Sequence, residues 1–264
     1  MNKNAPIGIF DSGMGGLSVW RELRAQLPAE SVVYLADGKN CPYGDRSPEE
    51  IARLTREAVE VLLGKGVKLV VVACNTATAV AIDLLREHYD IPFVGMEPAV
   101  KPAALATKSG TIGILATRAA LSGDLFKATS QKYSSVARIL SAVGEGFVEA
   151  VEEGREDEPA TLEIARRALE PMLREGADQI VLGCTHYPFL EGVLRQVIGP
   201  REVTLVNPAP AVVRRAEWLL RQADGLAEEG HKGECEFLSF ADEEYRLRVE
   251  RKAREIEPRV DGKQ

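Results

Sequence analysis

Seven short, uninterrupted apolar runs constrain this chain more than any other feature: IGIF (7–10), VVYLA (32–36), LVVVA (69–73), FVGM (93–96), TIGILA (111–116), QIVLG (179–183) and VTLVN (203–207). Between them lie segments of helical periodicity, such as SPEEIARLTREAVEVLLGKG (47–66) and PATLEIARRALEPMLREG (159–176), each with an acidic start and a glycine near its end. Runs with no polar alternation are strands buried on both faces, and their alternation with amphipathic helices specifies parallel sheets covered by helices. The fold class is α/β.

The order of elements also repeats. IGIFDSG from Ile7 matches IGILATR from Ile112, which sets Ser12 opposite Thr117. KGVKLVVVACNT matches EGADQIVLGCTH, which sets Gly66 opposite Gly176 and Cys74 opposite Cys184. Two matches in the same order predict two pseudo-symmetric α/β halves, and 264 residues are enough for two domains. If the halves face each other, the carboxyl ends of equivalent strands meet at one cleft, where ligands of such sheets bind. The charge-dense end, ADEEYRLRVERKAREIEPRVDGKQ, reads as a surface helix and a frayed tail past Pro258.

A net charge of −7 disfavours nucleic acid or an anionic membrane surface as partner. The start MNKNAPIGIF lacks a signal-peptide core, and no run approaches the roughly 18 apolar residues of a membrane span, so a cytoplasmic protein with a small-molecule substrate is expected. Four cysteines at 41, 74, 184 and 235 are too scattered for a disulfide framework, which leaves their reactivity.

Two of them, Cys74 and Cys184, end matching strands and are followed by polar residues. Inverting a carbon that bears an acidic hydrogen needs a base on one face and a proton donor on the other. A thiolate and a thiol serve, because a thiol pKa of ~8.5 is readily tuned. His186, two residues beyond Cys184, is placed to tune that thiol or assist proton transfer. No second Cys/His pair at ligand spacing accompanies it, so no metal is expected. The first run leads into DSGMGGLSV, where Gly13, Gly15 and Gly16 let the backbone approach a ligand and the helix start offers amides to a carboxylate. Ser18 stands where a dinucleotide fingerprint needs glycine. Asp11 either caps the helix or orients a substrate ammonium or a thiol. Pro42, Tyr43 and Gly44 specify a turn whose amides can meet a second carboxylate, and Cys41 beside them is taken as incidental.

Together, Asp11-Ser12-Gly13, Pro42-Tyr43-Gly44, Cys74-Asn75-Thr76 and Cys184-Thr185-His186 resemble the glutamate racemases of the cofactor-independent aspartate/glutamate racemase superfamily, over residues 7 to about 210. The resemblance implies two pseudo-symmetric parallel-sheet domains with the active site in the cleft between them, no cofactor, and a homodimer that supplies D-glutamate for peptidoglycan. The division expected is 1–98 with 209–264, carrying Cys74, and 99–208, carrying Cys184. Carried over by motif, Cys74 deprotonates the D-enantiomer and Cys184 the L-enantiomer, with Asp11 assisting the first and His186 the second. Glu152 matches a family carboxylate near Cys184, although Glu153 beside it competes for that assignment. Ser12, Pro42, Tyr43, Gly44, Asn75, Thr76, Thr117 and Thr185 are then the substrate-binding residues.

The chain departs from the family pattern in three places. GDTAxxPYG becomes ADGKNCPYG, with Gly38-Lys39 for Thr-Ala. Ala120 stands where many members have a second threonine, so one substrate hydrogen bond is lost or moved. Six residues precede the first strand, so the extension by which some members respond to a cell-wall precursor is not expected here. Competing readings are an aspartate racemase of the same architecture, a cysteine hydrolase or lyase that uses Cys184 with His186, and an amino-acid-binding sensor. The doubled thiol argues against the last two.

Overall fold

The structure of the protein, a computed structural model, describes residues 2–258; the tail expected past Pro258 lies outside them. In chain order the elements are β1 (Ile7–Asp11), α1 (Leu17–Gln26), β2 (Val32–Ala36), α2 (Pro48–Gly64), β3 (Leu69–Val72), α3 (Asn75–His88), β4 (Phe93–Gly95), α4 (Val100–Ala106), β5 (Thr111–Ala116), α5 (Arg118–Ser122) and α6 (Asp124–Tyr133). Then follow β6 (Arg138–Val143), α7 (Phe147–Glu152), α8 (Pro159–Arg174), β7 (Gln179–Gly183), a 3-10 turn (Tyr187–Leu190), α9 (Glu191–Ile198), β8 (Thr204–Val206), α10 (Ala209–Gln222), β9 (Cys235–Ser239) and α11 (Glu243–Ile256).

The strands form two parallel sheets, ordered β4-β3-β1-β2-β9 and β6-β5-β7-β8. Read from the other edge, the second is β8-β7-β5-β6, the order of the first without β9. The repeat seen in the sequence is thus a repeat of topology. It extends to the helices that feed the thiol-bearing strands: Gly66 and Gly176 both take left-handed φ, +71° and +82°, where the chain leaves α2 and α8. Ser47 caps α2 by accepting from the Glu50 amide, which fixes where that helix begins.

All seven apolar runs are strands, and the two strands without such a run are β6 and β9. Both lie at sheet edges, where one flank faces solvent, so RILSAV and CEFLS carry charges among their apolar residues and give no continuous pattern. The helix expected near the C-terminus is present as α11, but it is more than a surface helix. Val249 and Ala253 are fully buried, and α11 packs on β9 and α1.

Candidate active site

Cys74 and Cys184 stand just past the carboxyl ends of β3 and β7, central strands of the two sheets, and are 5% and 7% exposed. The two sheets touch at these ends. Thr185 Oγ1 donates to Asp11 Oδ2 at 3.0 Å, the hydroxyls of Thr76 and Thr117 are 2.9 Å apart, and Ser18 donates to the Thr185 carbonyl at 2.9 Å. Cys74, Ser12, Asn75, Thr76, Thr185 and His186 are all buried in this cleft.

Around Cys74 the partners are weak and neutral. Its sulfur is 3.5 Å from Ser12 Oγ and accepts from the Ala77 amide at 3.4 Å, so it doubles as the N-cap of α3. Burial and the nearby charge of Asp11 push the Cys74 thiol up to about 12, against the opposing pull of Ser12 and the Ala77 amide. The surroundings of Cys74 in the empty site thus favour the thiol over the thiolate. Asn75 is 4% exposed, and both polar atoms of its amide lack a protein partner. Such an amide marks a place for a polar ligand. Tyr43 turns its hydroxyl away, donating to Asp37 Oδ2 at 2.6 Å, and its fully buried ring packs on Phe10.

Around Cys184 the partners are charged. His186 Nδ1 is 3.7 Å from the sulfur, and its Nε2 is 2.7 Å from Glu152 Oε1. Burial works against a charged imidazole, yet the hydrogen bonds with Cys184, Cys41 and Glu152 hold its pKa well above the ordinary value. Burial likewise opposes the charge of Glu152. Donation and charge from His186, with donation from the Tyr245 hydroxyl and the Met14 amide, outweigh it, and the carboxyl stays below its ordinary value. The result is an imidazolium–carboxylate pair beside one thiol only. Glu153 instead pairs with Arg155 at the surface.

The glycine-rich turn after β1 receives something other than the ligand carboxylate anticipated. A Cβ at Gly13 would lie 2.0 Å from Glu152 Oε1, and one at Gly15 would lie 2.3 Å from His186 Nδ1. The Met14 amide donates to Glu152 at 2.7 Å. The turn is bare so that the pair from the second sheet can lie on it, and the anion at its amides is the protein's own. Asp11, fully buried, accepts from the Gly13 amide at 2.9 Å as well as from Thr185, and burial raises its pKa. The turn at 42–44 follows a cis Cys41–Pro42 bond, and Gly44 lies against Thr117. Pro42, Gly44 and Thr117 line a cavity of about 260 Å³ at the mouth of the cleft.

Two neighbours of the site had no such role in the sequence. The donor atoms of Cys41, Glu152 and His186 lie within 4.8 Å of one another, so Cys41 is not incidental in position. Its place one residue before Pro42 was the available signal. Tyr245, from α11, donates to Glu152 Oε2 at 2.7 Å, and nothing in its local sequence marks it. A trio of Cys, Glu and His is a conceivable metal-ligand set that spacing could not find, because three separate elements supply it. Here both carboxylate oxygens of Glu152 are already engaged by His186, Met14 and Tyr245.

Residues 7–216 match the family model described as Asp/Glu/Hydantoin racemase. The chain is 46% identical to the glutamate racemase of Herpetosiphon aurantiacus, over 97% of this chain and 100% of that protein. In structure it is similar to a glutamate racemase isoform of Bacillus anthracis, with a TM-score of 0.87 at 31% identity over 100% of this chain and 98% of that one. It is also similar to the glutamate racemase of Escherichia coli solved with L-glutamate and the activator UDP-MurNAc-Ala, with a TM-score of 0.82 at 34% identity, covering 94% and 95% of the two chains.

Proposed function

The chain belongs to the Asp/Glu/hydantoin racemase family and is an amino-acid racemase, and we propose that it interconverts L- and D-glutamate by proton transfer between Cys74 and Cys184 without a cofactor. The observation that carries this reading is the pair of buried thiols at equivalent ends of two facing sheets. In the L-to-D direction Cys184 takes the α-hydrogen from one face and the Cys74 thiol delivers a proton to the other. The carbanion gains its new C–H bond as the Cys74 S–H bond breaks, and the proton lost from carbon stays on Cys184. The reverse reaction exchanges the roles. The His186–Glu152 pair sets a positive group beside the sulfur that must bear negative charge at one stage of the cycle. Asp11 assists the Cys74 side as an acceptor for the substrate ammonium.

The unpartnered amide of Asn75, with Ser12, Thr76, Thr117, Thr185 and the 42–44 turn, supplies neutral donors for the substrate carboxylates. Neutral donors suit an anion that grows more negative as its α-hydrogen leaves. In this reading the chain passes between the two units at 98–99 and 208–209, so the units are 1–98 with 209–264 and 99–208. A cytoplasmic homodimer that feeds D-glutamate to peptidoglycan completes the reading. Exposed Leu105 and Trp218 offer apolar surface for a second copy, and no helix among the described residues is long and apolar enough to cross a membrane.

The test is proton NMR of L- and D-glutamate in deuterated water with wild type, Cys74→Ser and Cys184→Ser. Exchange of the α-hydrogen with inversion is expected in the wild type, and loss of the inversion in either variant. An unchanged Cys74 variant would instead make the protein a one-thiol enzyme, and turnover of aspartate alone would replace the substrate. Growth of a D-glutamate auxotroph on this chain tests the cell-wall role, and sedimentation equilibrium tests the dimer.

A further inference from the structure

Glu152 and His186 belong to the second sheet's half of the molecule, yet a helix of the first half grips Glu152 and the segments beside the pair. Residues 245, 248 and 252 fall on one face of α11. Tyr245 donates to Glu152 Oε2 at 2.7 Å, Arg248 donates to the Glu152 backbone carbonyl, and Lys252 pairs with Glu156 at 2.7 Å. Lys252 also stands 5.4 Å from the centre of the Phe189 ring, three residues past His186. The phenol reaches Glu152 by crossing over Gly38, where a Cβ would fall 2.3 Å from ring atoms Cε1 and Cζ. Any side chain at position 38 would therefore evict the ring. That position is one of those at which the chain departs from the GDTA pattern, with glycine in place of threonine.

Resting on the two-thiol reading above, we propose that Tyr245 is a positioning residue for the Cys184 side of the site, admitted by the missing side chain at Gly38, and that it acts by fixing the Glu152 carboxylate that orients His186. With Oε2 held by the phenol and Oε1 held by the Met14 amide, the carboxylate has one rotation left to it, and that rotation aims Oε1 at His186 Nε2. The groups facing Glu152 are His186, Cys41 from the loop after β2, Tyr245 and Arg248 from α11, and Asp11 and Tyr34 from β1 and β2. Of these, His186 and Tyr245 stabilise its ionised form by hydrogen bonds. Removing the phenol hydroxyl thus leaves burial less opposed, and the carboxyl titrates at higher pH.

Tyr245→Phe, which keeps the ring and removes the hydroxyl, tests the role. The expected result is a fall in kcat/KM of roughly 10-fold and an acid limb of its pH profile moved up by about half a pH unit or more, as loss of a charge-assisted hydrogen bond implies. The same substitution made in Glu152→Gln is expected to add nothing, because its effect passes through that carboxylate. Gly38→Ala is expected to lower activity in the wild type and to be silent in Tyr245→Ala. An unshifted pH profile in Tyr245→Phe, or losses that multiply with Glu152→Gln, would overturn the role. Equal effects of Gly38→Ala with and without Tyr245 would overturn the link to position 38. A wild type that leaves glutamate unchanged would instead sink the underlying reading. The Tyr245/Glu152 cycle read on denaturation midpoints, with coupling expected, tests the contact without any substrate.

Discussion

The two thiol ends share a scaffold and differ in what surrounds the sulfur. Aligned through the repeat, Cys74-Asn75-Thr76 faces Cys184-Thr185-His186, and Asp11-Ser12-Gly13 faces Ala116-Thr117-Arg118. Cys74 has a hydroxyl and an amide for partners; Cys184 has an imidazolium held by a carboxylate. Each half also lends its charge to the other: Asp11 of the first sheet accepts from Thr185, and Glu152 of the second half accepts from Met14. Duplication of a βα unit therefore supplies symmetry of position alone. The electrostatics are asymmetric, and they are built across the cleft.

The strongest way to break this comparison is to remove each sulfur in turn. Cys74→Ser and Cys184→Ser should each cut racemisation by about three orders of magnitude, the middle of the range that positioned acid–base groups contribute. The two variants should differ in exchange: in deuterated water Cys74→Ser should label L-glutamate only, and Cys184→Ser D-glutamate only. Labelling of both enantiomers by one variant would mean that a single base serves both faces. Because the equilibrium constant of a racemisation is one, kcat/KM must stay equal in the two directions for every active variant. Asymmetry has to be sought in exchange, kcat or KM taken singly.

Next in size are the equivalent positions 186 and 76. His186→Asn should lower kcat/KM about 100-fold, while Thr76→Val, which loses one neutral hydrogen bond to Thr117, should cost only about 3-fold. Similar losses at both would mean that the charge does nothing special for Cys184. His186→Asn also carries a pH signature in stability. His186 is raised above 6.5, so its contribution is full below that value and fades as pH climbs through the folded pKa; Glu152 is lowered below 4.5, so its contribution is full above that value and fades as pH falls. The loss of stability in His186→Asn should therefore be greatest between about pH 4.5 and 6.5. Urea melts across the pH range check this, and a loss independent of pH would deny the ion pair.

A third contrast lies at positions 15 and 120. Gly15→Ala places a methyl against the His186 ring and should cost roughly 10-fold in activity. Ala120 is buried at the start of α5, with its amide on Thr117 Oγ1, and Ala120→Thr adds a hydroxyl there. Its KM for glutamate should change by no more than about 3-fold, the smallest effect of the set. A larger loss at 120 than at 15 would mean that the two turns do the reverse of what their geometry implies.

Much of the fold was legible because buried parallel strands leave uninterrupted apolar runs, and because Gly66 and Gly176 recur at the same place in both halves. β6 and β9 were not, since an edge strand needs no such run. At the site, the thiols and His186 announced themselves by ending strands. What the sequence could not convey was depth. Gly13 and Gly15 read as room for a ligand and turned out to be room for Glu152 and His186. Tyr245 lies more than 90 residues from the carboxylate it holds, on a helix whose charge density suggested only solvent. Its one trace was a glycine where the family pattern has threonine.

Burial of both sulfurs also gives this molecule a short memory. Under the two-thiol reading each inversion moves the proton deficit from one sulfur to the other, so the protein that releases D-glutamate is primed for D-glutamate and must be reset before it can take another L-glutamate. With Cys74 and Cys184 only 5% and 7% exposed, that reset waits for water to reach the cleft. Under that reading the empty protein exists as two protonation isomers, and their exchange is a step of the cycle separate from the chemistry on carbon.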